Sequence, residues 1–260
     1  MTAAEENPSK ELNAGTATQP VISVKGLYKS FGKDNHVLKG IDFSVKKGEN
    51  LVILGRSGSG KSVAIKCLVG LVEADKGEIR VFDTDISTLD INQLNEIRAR
   101  IGFLFQNGAL YDSMTVRQNL EFPLKRHFKQ MSDQEAEKTI VEALESVGLA
   151  EAIDKMPAEL SGGMCKRVGL ARTLILTPEI ILYDEPTTGL DTITSREISE
   201  LIISIQKKYK TTSIIITHDM ACAKLTGDRI LILKDGVVNA EGTYEELEKS
   251  NDQWVCSFFS

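Results

Sequence analysis

Cysteine is scarce in this chain of 260 residues, and the four that occur are Cys67, Cys165, Cys222 and Cys256. None of them forms the C-x-x-C spacing that zinc ribbons and dithiol redox sites use. So few cysteines, so far apart, are also atypical of a secreted domain held together by disulfides. We therefore expect ordinary reduced cysteines, and neither a disulfide nor a zinc site.

Long apolar runs are absent too, since the longest are about as long as a strand and a membrane-spanning helix needs about 20 apolar residues. The first residues, Met1 to Pro20, are polar and acidic and lack the hydrophobic core of a secretory signal. We expect residues 1–19 to be a disordered tail. The sequence favours a cytoplasmic protein that has no membrane span of its own.

An excess of basic residues is also missing, because 31 Lys and Arg stand against 37 Asp and Glu, for a net charge of −6. General nucleic-acid binders usually carry a basic excess, so this balance argues against nucleic acid as a partner. The length and the 42% hydrophobic content suffice for one large α/β domain or two small ones.

The strongest motif reads G-R-S-G-S-G-K-S and matches the phosphate-binding pattern G-x-x-x-x-G-K-[ST]. A branched apolar run at 51–54 predicts a strand before it, and a second run at 63–69 predicts a helix after it. Glycines allow successive backbone amides to face an anion, and the helix N-terminus adds a positive dipole. This context disfavours the alternative of a chance glycine-rich turn. The residues expected to hold the nucleotide here are Gly55, Arg56, Ser57, Gly58, Ser59, Gly60, Lys61, Ser62 and Val63.

Acidic residues follow the apolar run at 180–183, where a buried strand would deliver them at its carboxyl end. Asp184 suits Mg²⁺ through water, as the hydroxyl of Ser62 suits direct ligation. Glu185, one residue further on, suits the polarisation of a water against a γ-phosphate. The alternative, an exposed acidic turn, is weak once the phosphate loop is accepted.

Two more predicted strands end in polar side chains. The strand at 101–105 leads into Gln106, whose amide oxygen could reach Mg²⁺ or the attacking water, although its position alone does not exclude an ordinary polar loop residue. The strand at 213–217 ends at His218, whose ring could bond the γ-phosphate and orient Glu185 or the water. A lone histidine is more often structural.

A second candidate anion site lies at Leu160 to Met164, where Ser161, Gly162 and Gly163 open a predicted helix. One compact domain cannot easily grip a single triphosphate with two such helix ends. The simplest interpretation is that this site binds a nucleotide held by another subunit. The alternative is a capped helix start with a flexible entry.

Strands near Val21, at 41–45 and at 78–82 predict a small antiparallel sheet beside the main one. Phe31, in the turn between the first two, could stack on an adenine ring or pack on its own hairpin. Residues 87–100 and 115–148 are predicted to be helical, the latter with a capping box at Ser132 and a C-cap at Gly148. The aromatic C-terminus is expected to pack on its own sheet or on a partner.

In this order and spacing, the motifs resemble those of the ATP-binding subunits of ABC transporters, from Val21 to about Leu247. The matching residues are Phe31 for the A-loop aromatic, Gly55 to Ser62 for Walker A, Gln106 for the Q-loop, Leu160 to Met164 for the signature motif, Ile180 to Asp184 for Walker B, Glu185 for the catalytic glutamate, Leu190 and Asp191 for the D-loop, and His218 for the switch histidine. One departure is Met164, where the family usually has glutamine; we expect dimer formation to survive it.

The resemblance implies an α/β P-loop NTPase fold with a RecA-like core, an N-terminal antiparallel β subdomain and an α-helical subdomain at about 107–175. The ATPase domain would span 20–247 and a C-terminal tail 248–260. A homodimer would sandwich two ATP molecules, with Mg²⁺ managed by Ser62, Gln106 and Asp184. The roles implied for catalysis fall on Glu185, His218, Lys61 and Gln106. The residues implied to close the nucleotide from across the dimer are Ser161 and Gly163, and Gly162 and Asp191 are also implied to bind the nucleotide.

Within the family, the stretch from Leu104 to Tyr111, together with Leu160 to Met164, looks most like ATPases that pair with MCE proteins in Mla-type phospholipid transport systems of double-membrane bacteria. That likeness implies a membrane permease, a periplasmic MCE-domain protein and sometimes a small STAS-domain protein. The chain would then be peripheral on the cytoplasmic face of the inner membrane. The alternatives are an importer or exporter ATPase for another cargo, and a soluble ABC ATPase acting on ribosomes or DNA, which the single cassette and the acidic balance disfavour.

Overall fold

The computed structural model describes residues 19–259. The disordered tail expected at 1–19 lies, apart from residue 19, outside the described residues. No helix among residues 19–259 combines the length and the apolar character that crossing a bilayer requires.

The strands of the described chain form two sheets. The strands are β1 (Ile22–Ser30), β2 (His36–Val45), β3 (Asn50–Leu54), β4 (Lys76–Val81), β5 (Thr84–Asp85), β6 (Ile101–Leu104), β7 (Ile180–Asp184), β8 (Thr212–Thr217), β9 (Arg229–Lys234) and β10 (Val237–Gly242). The smaller sheet has the order β2-β1-β4-β5 and is antiparallel throughout, as predicted. The larger sheet has the order β10-β9-β3-β8-β7-β6, and all its pairs are parallel except β10 with β9.

Helices cover the larger sheet. They are α1 (Lys61–Leu68), α2 (Ile91–Ala99), α3 (Val116–His127), α4 (Asp133–Ser146), α5 (Gly162–Leu174), α6 (Thr192–Tyr209), α7 (Met220–Thr226), α8 (Tyr244–Glu248) and α9 (Gln253–Cys256). The fold class predicted from the sequence is confirmed, since parallel strands alternate with helices beside an antiparallel sheet. The proposed boundaries of the helical subdomain stay a prediction.

Strands β3, β7 and β8 of the larger sheet are buried on both faces, which explains their continuous apolar runs. Alternate residues of β3 enter different cores: Val52 and Leu54 pack with α3 to α7, whereas Leu51 and Ile53 pack with α1 and the antiparallel sheet. The strand period of two therefore divides the interior into two apolar clusters on opposite faces of one sheet.

Two helical predictions differ from the structure in their limits. The segment 115–148 is two helices, because the chain turns at 128–132 before Ser132 caps α4 with the predicted capping box. Gly148 takes a φ of 70° just beyond α4, which a glycine adopts without strain. In 87–100 the α-helix begins only at Ile91, where Asp90 accepts hydrogen bonds from the amides of its first turn.

The aromatic C-terminus packs on its own chain. The rings of Tyr244 and Phe259 meet edge to face at 5.1 Å, and those of Trp254 and Phe258 at 4.9 Å. Val255 between them is fully buried in the same apolar cluster as α3 to α7. Of the two alternatives left open by the sequence, the structure shows the intramolecular one.

Candidate functional site

The carboxyl ends of neighbouring parallel strands meet at one edge of the larger sheet, where open α/β folds bind their ligands. β3 leads into the loop at 55–60, and the chain beyond β6 places Gln106 close by. β7 and β8 end beside Glu185 and His218. These residues line one cavity of about 840 Å³, together with 55–63. The structure thus brings together four segments whose outermost members, Gly55 and His218, are 163 positions apart in the sequence.

Two positions of the loop accept only glycine, because neighbouring atoms leave no room for a Cβ. A Cβ on Gly55 would lie 2.6 Å from the carbonyl oxygen of Leu233, and one on Gly60 would lie 3.0 Å from that of Val37. Gly60 also has a φ of 102°, which side-chain-bearing residues rarely adopt. The loop therefore lies against neighbouring backbone in a form that directs α1 at the cavity, where its N-terminal amides would face a bound anion.

Lys61 begins α1 and is 6% exposed. Its Nζ donates to the carbonyl of Gly55 at 2.8 Å and to that of Arg56 at 3.2 Å, and it lies 3.7 Å from Oε1 of Glu185. Burial lowers the pKa of the Lys61 ammonium, whereas the carboxylate of Glu185 acts in the opposite direction. The hydroxyl of Ser59 is buried nearby and has no hydrogen-bond partner within residues 19–259. The loop thus holds a cation and an unsatisfied donor, which are the groups a polyphosphate would engage.

An oxygen pair suited to Mg²⁺ stands beside the loop. The Oγ of Ser62 donates to Oδ1 of Asp184 at 2.8 Å, and Asp184 is buried at the end of β7. Hydroxyl and carboxylate oxygens are the ligands that this hard cation prefers. These residues therefore fit a Mg²⁺ ion that arrives with a nucleotide.

Glu185 is held from several sides. Its φ of 52° places a non-glycine residue in the left-handed region, where strain is commonly tied to function. Its amide donates to the carbonyl of Ile216 at 2.9 Å. Its Oε2 lies 2.7 Å from Nδ1 of His218 and accepts from the hydroxyl of Thr188 at 3.0 Å. A carboxylate fixed at the cavity by these contacts has the character of a general base.

Other predicted site residues do not line this cavity. Ser161 caps α5 by accepting from the amide of Met164 at 3.3 Å, and a Cβ on Gly163 would meet Cγ2 of Thr194 at 2.6 Å. The remaining members of this set are Phe31, Gly162, Asp184 and Asp191, and Asp184 adjoins the cavity through its bond to Ser62. Asp191 caps α6 by accepting two backbone amides at 3.0 Å. Phe31 is 48% exposed, and the ammonium of Lys29 lies over its ring at 5.4 Å from the centroid.

Sequence reasoning missed several residues near the cavity. Asn35, Val37 and Phe258 contribute to its lining, and Thr188 and Lys166 contact Glu185. A hydroxyl three residues after the glutamate was a usable local signal for Thr188. Phe258 and Lys166 had no such local signal, because their proximity to the cavity and to Glu185 depends on how distant segments pack.

A phosphate loop at the carboxyl edge of a parallel sheet, with an adjacent hydroxyl–carboxylate pair and a held glutamate, defines a nucleotide-hydrolysing P-loop protein. A family model described as "ABC transporter" matches residues 38–188. The chain belongs to this ABC transporter family.

Curated relatives agree on the family and differ in the cargo that their names state. The chain is 40% identical over 239 residues to "Probable ribonucleotide transport ATP-binding protein mkl" of Mycobacterium leprae, covering 92% of this chain and 68% of that protein. It is 37% identical over 269 residues to "Protein TRIGALACTOSYLDIACYLGLYCEROL 3, chloroplastic" of Arabidopsis thaliana, covering 96% and 76%. It is 39% identical over 223 residues to "Methionine import ATP-binding protein MetN" of Brucella abortus, covering 86% and 60%.

Solved structures show the same fold. The ATP-binding cassette MJ0796, a dimer bound to ADP and Pi, superimposes with a TM-score of 0.79 at 34% identity, covering 85% of this chain and 98% of that chain. The cbiO1 protein of Clostridium perfringens, part of the ABC transporter complex cbiONQ, superimposes with a TM-score of 0.80 at 29% identity, covering 92% and 98%.

The chain is therefore the ATP-binding subunit of an ABC transporter, and its reaction is ATP hydrolysis. It binds ATP with Mg²⁺. ABC ATPase cassettes dimerise and work with a membrane permease subunit.

Proposed function

We propose that this subunit powers the transport of phospholipid between bacterial membranes through a separate permease, from a peripheral position on the cytoplasmic face of the inner membrane. The observation that supports a lipid cargo is the likeness to the relative named for trigalactosyldiacylglycerol, which extends over 96% of this chain. Trigalactosyldiacylglycerol is a diacylglycerol lipid, and most phospholipids contain the same diacylglycerol group. The likeness of 104–111 and 160–164 to the MCE-paired ATPases points to the same cargo.

The cavity residues divide the work of hydrolysis. Lys61 and the loop amides at 55–60 bind and orient the phosphates, and Ser62, Gln106 and Asp184 hold Mg²⁺, which neutralises charge on them. Glu185 accepts the proton of the attacking water. His218 and Thr188 keep its carboxylate in place, because both contact Oε2.

A second copy of the chain completes each site in this proposal. Ser161, Gly162 and Gly163 stand at the start of a helix of thirteen residues that does not border the cavity of its own chain. The positive end of such a helix favours an anion. Two copies placed head to tail would direct each α5 N-terminus at the γ-phosphate in the other copy, with Asp191 beside it and Phe31 stacked on the adenine.

The permease is proposed to dock beside Gln106. Phe105, the residue before it, is exposed, and so are Tyr111 and Phe122 further along the chain, whose rings touch edge to face at 5.5 Å. Exposed apolar groups in one patch favour a protein partner. This position would pass changes around Gln106 directly to the membrane subunit. An MCE-domain protein and a small STAS-domain protein are the further partners proposed for the complex.

The cargo is tested with the complex itself. A tagged chain is purified in mild detergent from membranes of its source, its partners are identified by mass spectrometry, and the complex is placed in phospholipid vesicles. We expect a permease and an MCE-domain protein, and ATP-dependent movement of a fluorescent phospholipid. Methionine and a ribonucleotide serve as competing cargoes, because relatives carry those names. A Glu185→Gln complex is the control for contaminating ATPases. Transport of either competitor without phospholipid movement would overturn the lipid assignment.

A further inference from the structure

Lys166 is a buried cation on α5 whose ammonium reaches two other motifs. The residue is 6% exposed. Its Nζ donates to the backbone carbonyl of Gln106 and, at 3.1 Å, to that of Glu185. One side chain of the signature helix thus bonds both the loop after β6 and the residue proposed as the base.

Burying an ammonium group is costly unless its donors are satisfied. Burial lowers the pKa of Lys166, and the nearby carboxylates of Glu185 and Asp184 act in the opposite direction. Hydrogen bonds from a charged donor are among the stronger ones in proteins. The desolvation cost of this ammonium is offset only where both carbonyls stay in place. Lys166 therefore favours one position of α5 relative to the loop after β6.

The contact with Glu185 falls on a strained backbone. At a φ of 52° this residue lies in the left-handed region, and such a conformation persists only where its surroundings hold it. The amide of Glu185 is held by the carbonyl of Ile216, and its carbonyl by Lys166. The two bonds fix both ends of the residue, and hence the direction in which the carboxylate leaves the chain.

Two further contacts join α5 to the loop after β6. A Cβ on Gly169 would lie 3.0 Å from both Cα and O of Gly108, so the helix and the loop pack backbone against backbone. One turn on, Arg172 donates to the carbonyl of Ala109. Helix and loop therefore form one unit, and Lys166 extends that unit to Glu185.

We propose that Lys166 is a positioning residue for ATP hydrolysis, which ties the position of the signature helix to the backbone of Glu185. The carboxylate then takes its working direction only while α5 and the loop at 105–109 are in place. The proposal rests on the role assigned above to Glu185 and adds a residue to it.

The test compares three variants of the full chain in steady-state ATPase assays. Lys166→Met keeps the length of the side chain and removes its charge and donors. Lys166→Arg keeps the positive charge and the hydrogen-bond donors. Arg172→Met is the matched control, since it removes the neighbouring bond from α5 to the loop without touching Glu185.

We expect Lys166→Met to lower kcat about 10- to 100-fold with KM for ATP changed less than about threefold, because its bonds hold the backbone of Glu185 and Gln106, whereas Lys61 and the loop amides at 55–60 bind the phosphates. Lys166→Arg should recover most of the loss, and Arg172→Met should stay within about threefold of the parent. Thermal melting and ATP binding check the fold of each variant. If Lys166→Met does not fold, Lys166→Leu, which also lacks a charge and a donor, carries the same expectation.

Unchanged kcat in Lys166→Met would overturn the proposal. So would equal losses in Lys166→Met and Arg172→Met, or a fall in ATP affinity that accounts for the whole effect. A Glu185→Gln variant assayed alongside separates the two ideas: if it turns over at the parent rate, the role of Glu185 itself is wrong, whereas an inactive Glu185→Gln beside an active Lys166→Met rejects only the positioning role.

Discussion

Nδ1 of His218 lies 2.7 Å from Oε2 of Glu185. The two residues directly follow neighbouring parallel strands, β8 and β7, and the amide of Glu185 also donates to the carbonyl of Ile216 on β8. The imidazole is largely exposed, whereas the carboxylate is mostly buried. A buried carboxylate oriented by a histidine at the edge of a nucleotide cavity is the arrangement that an activated water needs.

Glu185→Gln should abolish turnover and keep ATP binding, because the amide retains the size of the carboxylate and cannot accept the proton. We expect kcat to fall about 100- to 10,000-fold, and the variant to elute as a dimer when ATP is present. Phosphate release and size-exclusion chromatography measure the two effects. Glu179→Gln, the same change on an exposed residue at the far end of β7, should leave kcat unaltered. Parent-rate hydrolysis by Glu185→Gln would reject the base assignment.

Mixing two inactive variants should restore activity if each site is shared between copies. Lys61→Ala disables the phosphate loop of its own chain, and Ser161→Arg blocks the helix end that would close the other chain. A mixed dimer retains one intact site, so the mixture should recover up to about a quarter of the parent rate, since about half of randomly formed dimers are mixed. The double variant mixed with either single one has no intact site and is the control. No recovery in the first mixture would place the whole site in one chain.

Phe31→Ala should weaken ATP binding and leave kcat at saturation nearly unchanged, because the ring is proposed to stack on the base, away from the reacting phosphate. Base stacking on an aromatic residue contributes about 1–3 kcal/mol, so Kd should rise about 5- to 150-fold. Phe31→Trp should bind as the parent does. Fluorescence titration with an ATP analogue measures Kd, and Phe128→Ala, at another exposed aromatic, is the control. Equal Kd values for Phe31→Ala and the parent would remove the stacking role.

Two of the four cysteines should resist alkylation in the native protein. Cys67 and Cys222 are each 1% exposed, and burial raises the pKa of both thiols to about 11. Because the thiolate is the reactive form, a pKa of 11 leaves only about 0.1% of it at pH 8. Iodoacetamide at pH 8 followed by peptide mass spectrometry should label Cys256 first and these two last, and all four should react equally in denaturant. Early labelling of Cys67 would contradict its buried position.

Much of the fold was predictable because its signals are local. The capping box at Ser132, the glycine after α4 and the apolar runs of β3, β7 and β8 each act within a few residues of the chain. The helix limits were harder to predict, since the break between α3 and α4 interrupts a continuous helical pattern and the start of α2 depends on a single cap at Asp90.

The chain alone settles the chemistry of the phosphate loop, because 55–62 is one contiguous segment whose glycines, lysine and hydroxyl act together on one ligand. The arrangement of the other site residues depends on side-chain packing. The bonds from Lys166 to Gln106 and Glu185 join residues 60 and 19 positions apart, and Phe258 reaches the cavity from the C-terminus. No short-range pattern encodes such contacts, since they exist only after helices and loops have closed on the sheet and excluded water between them.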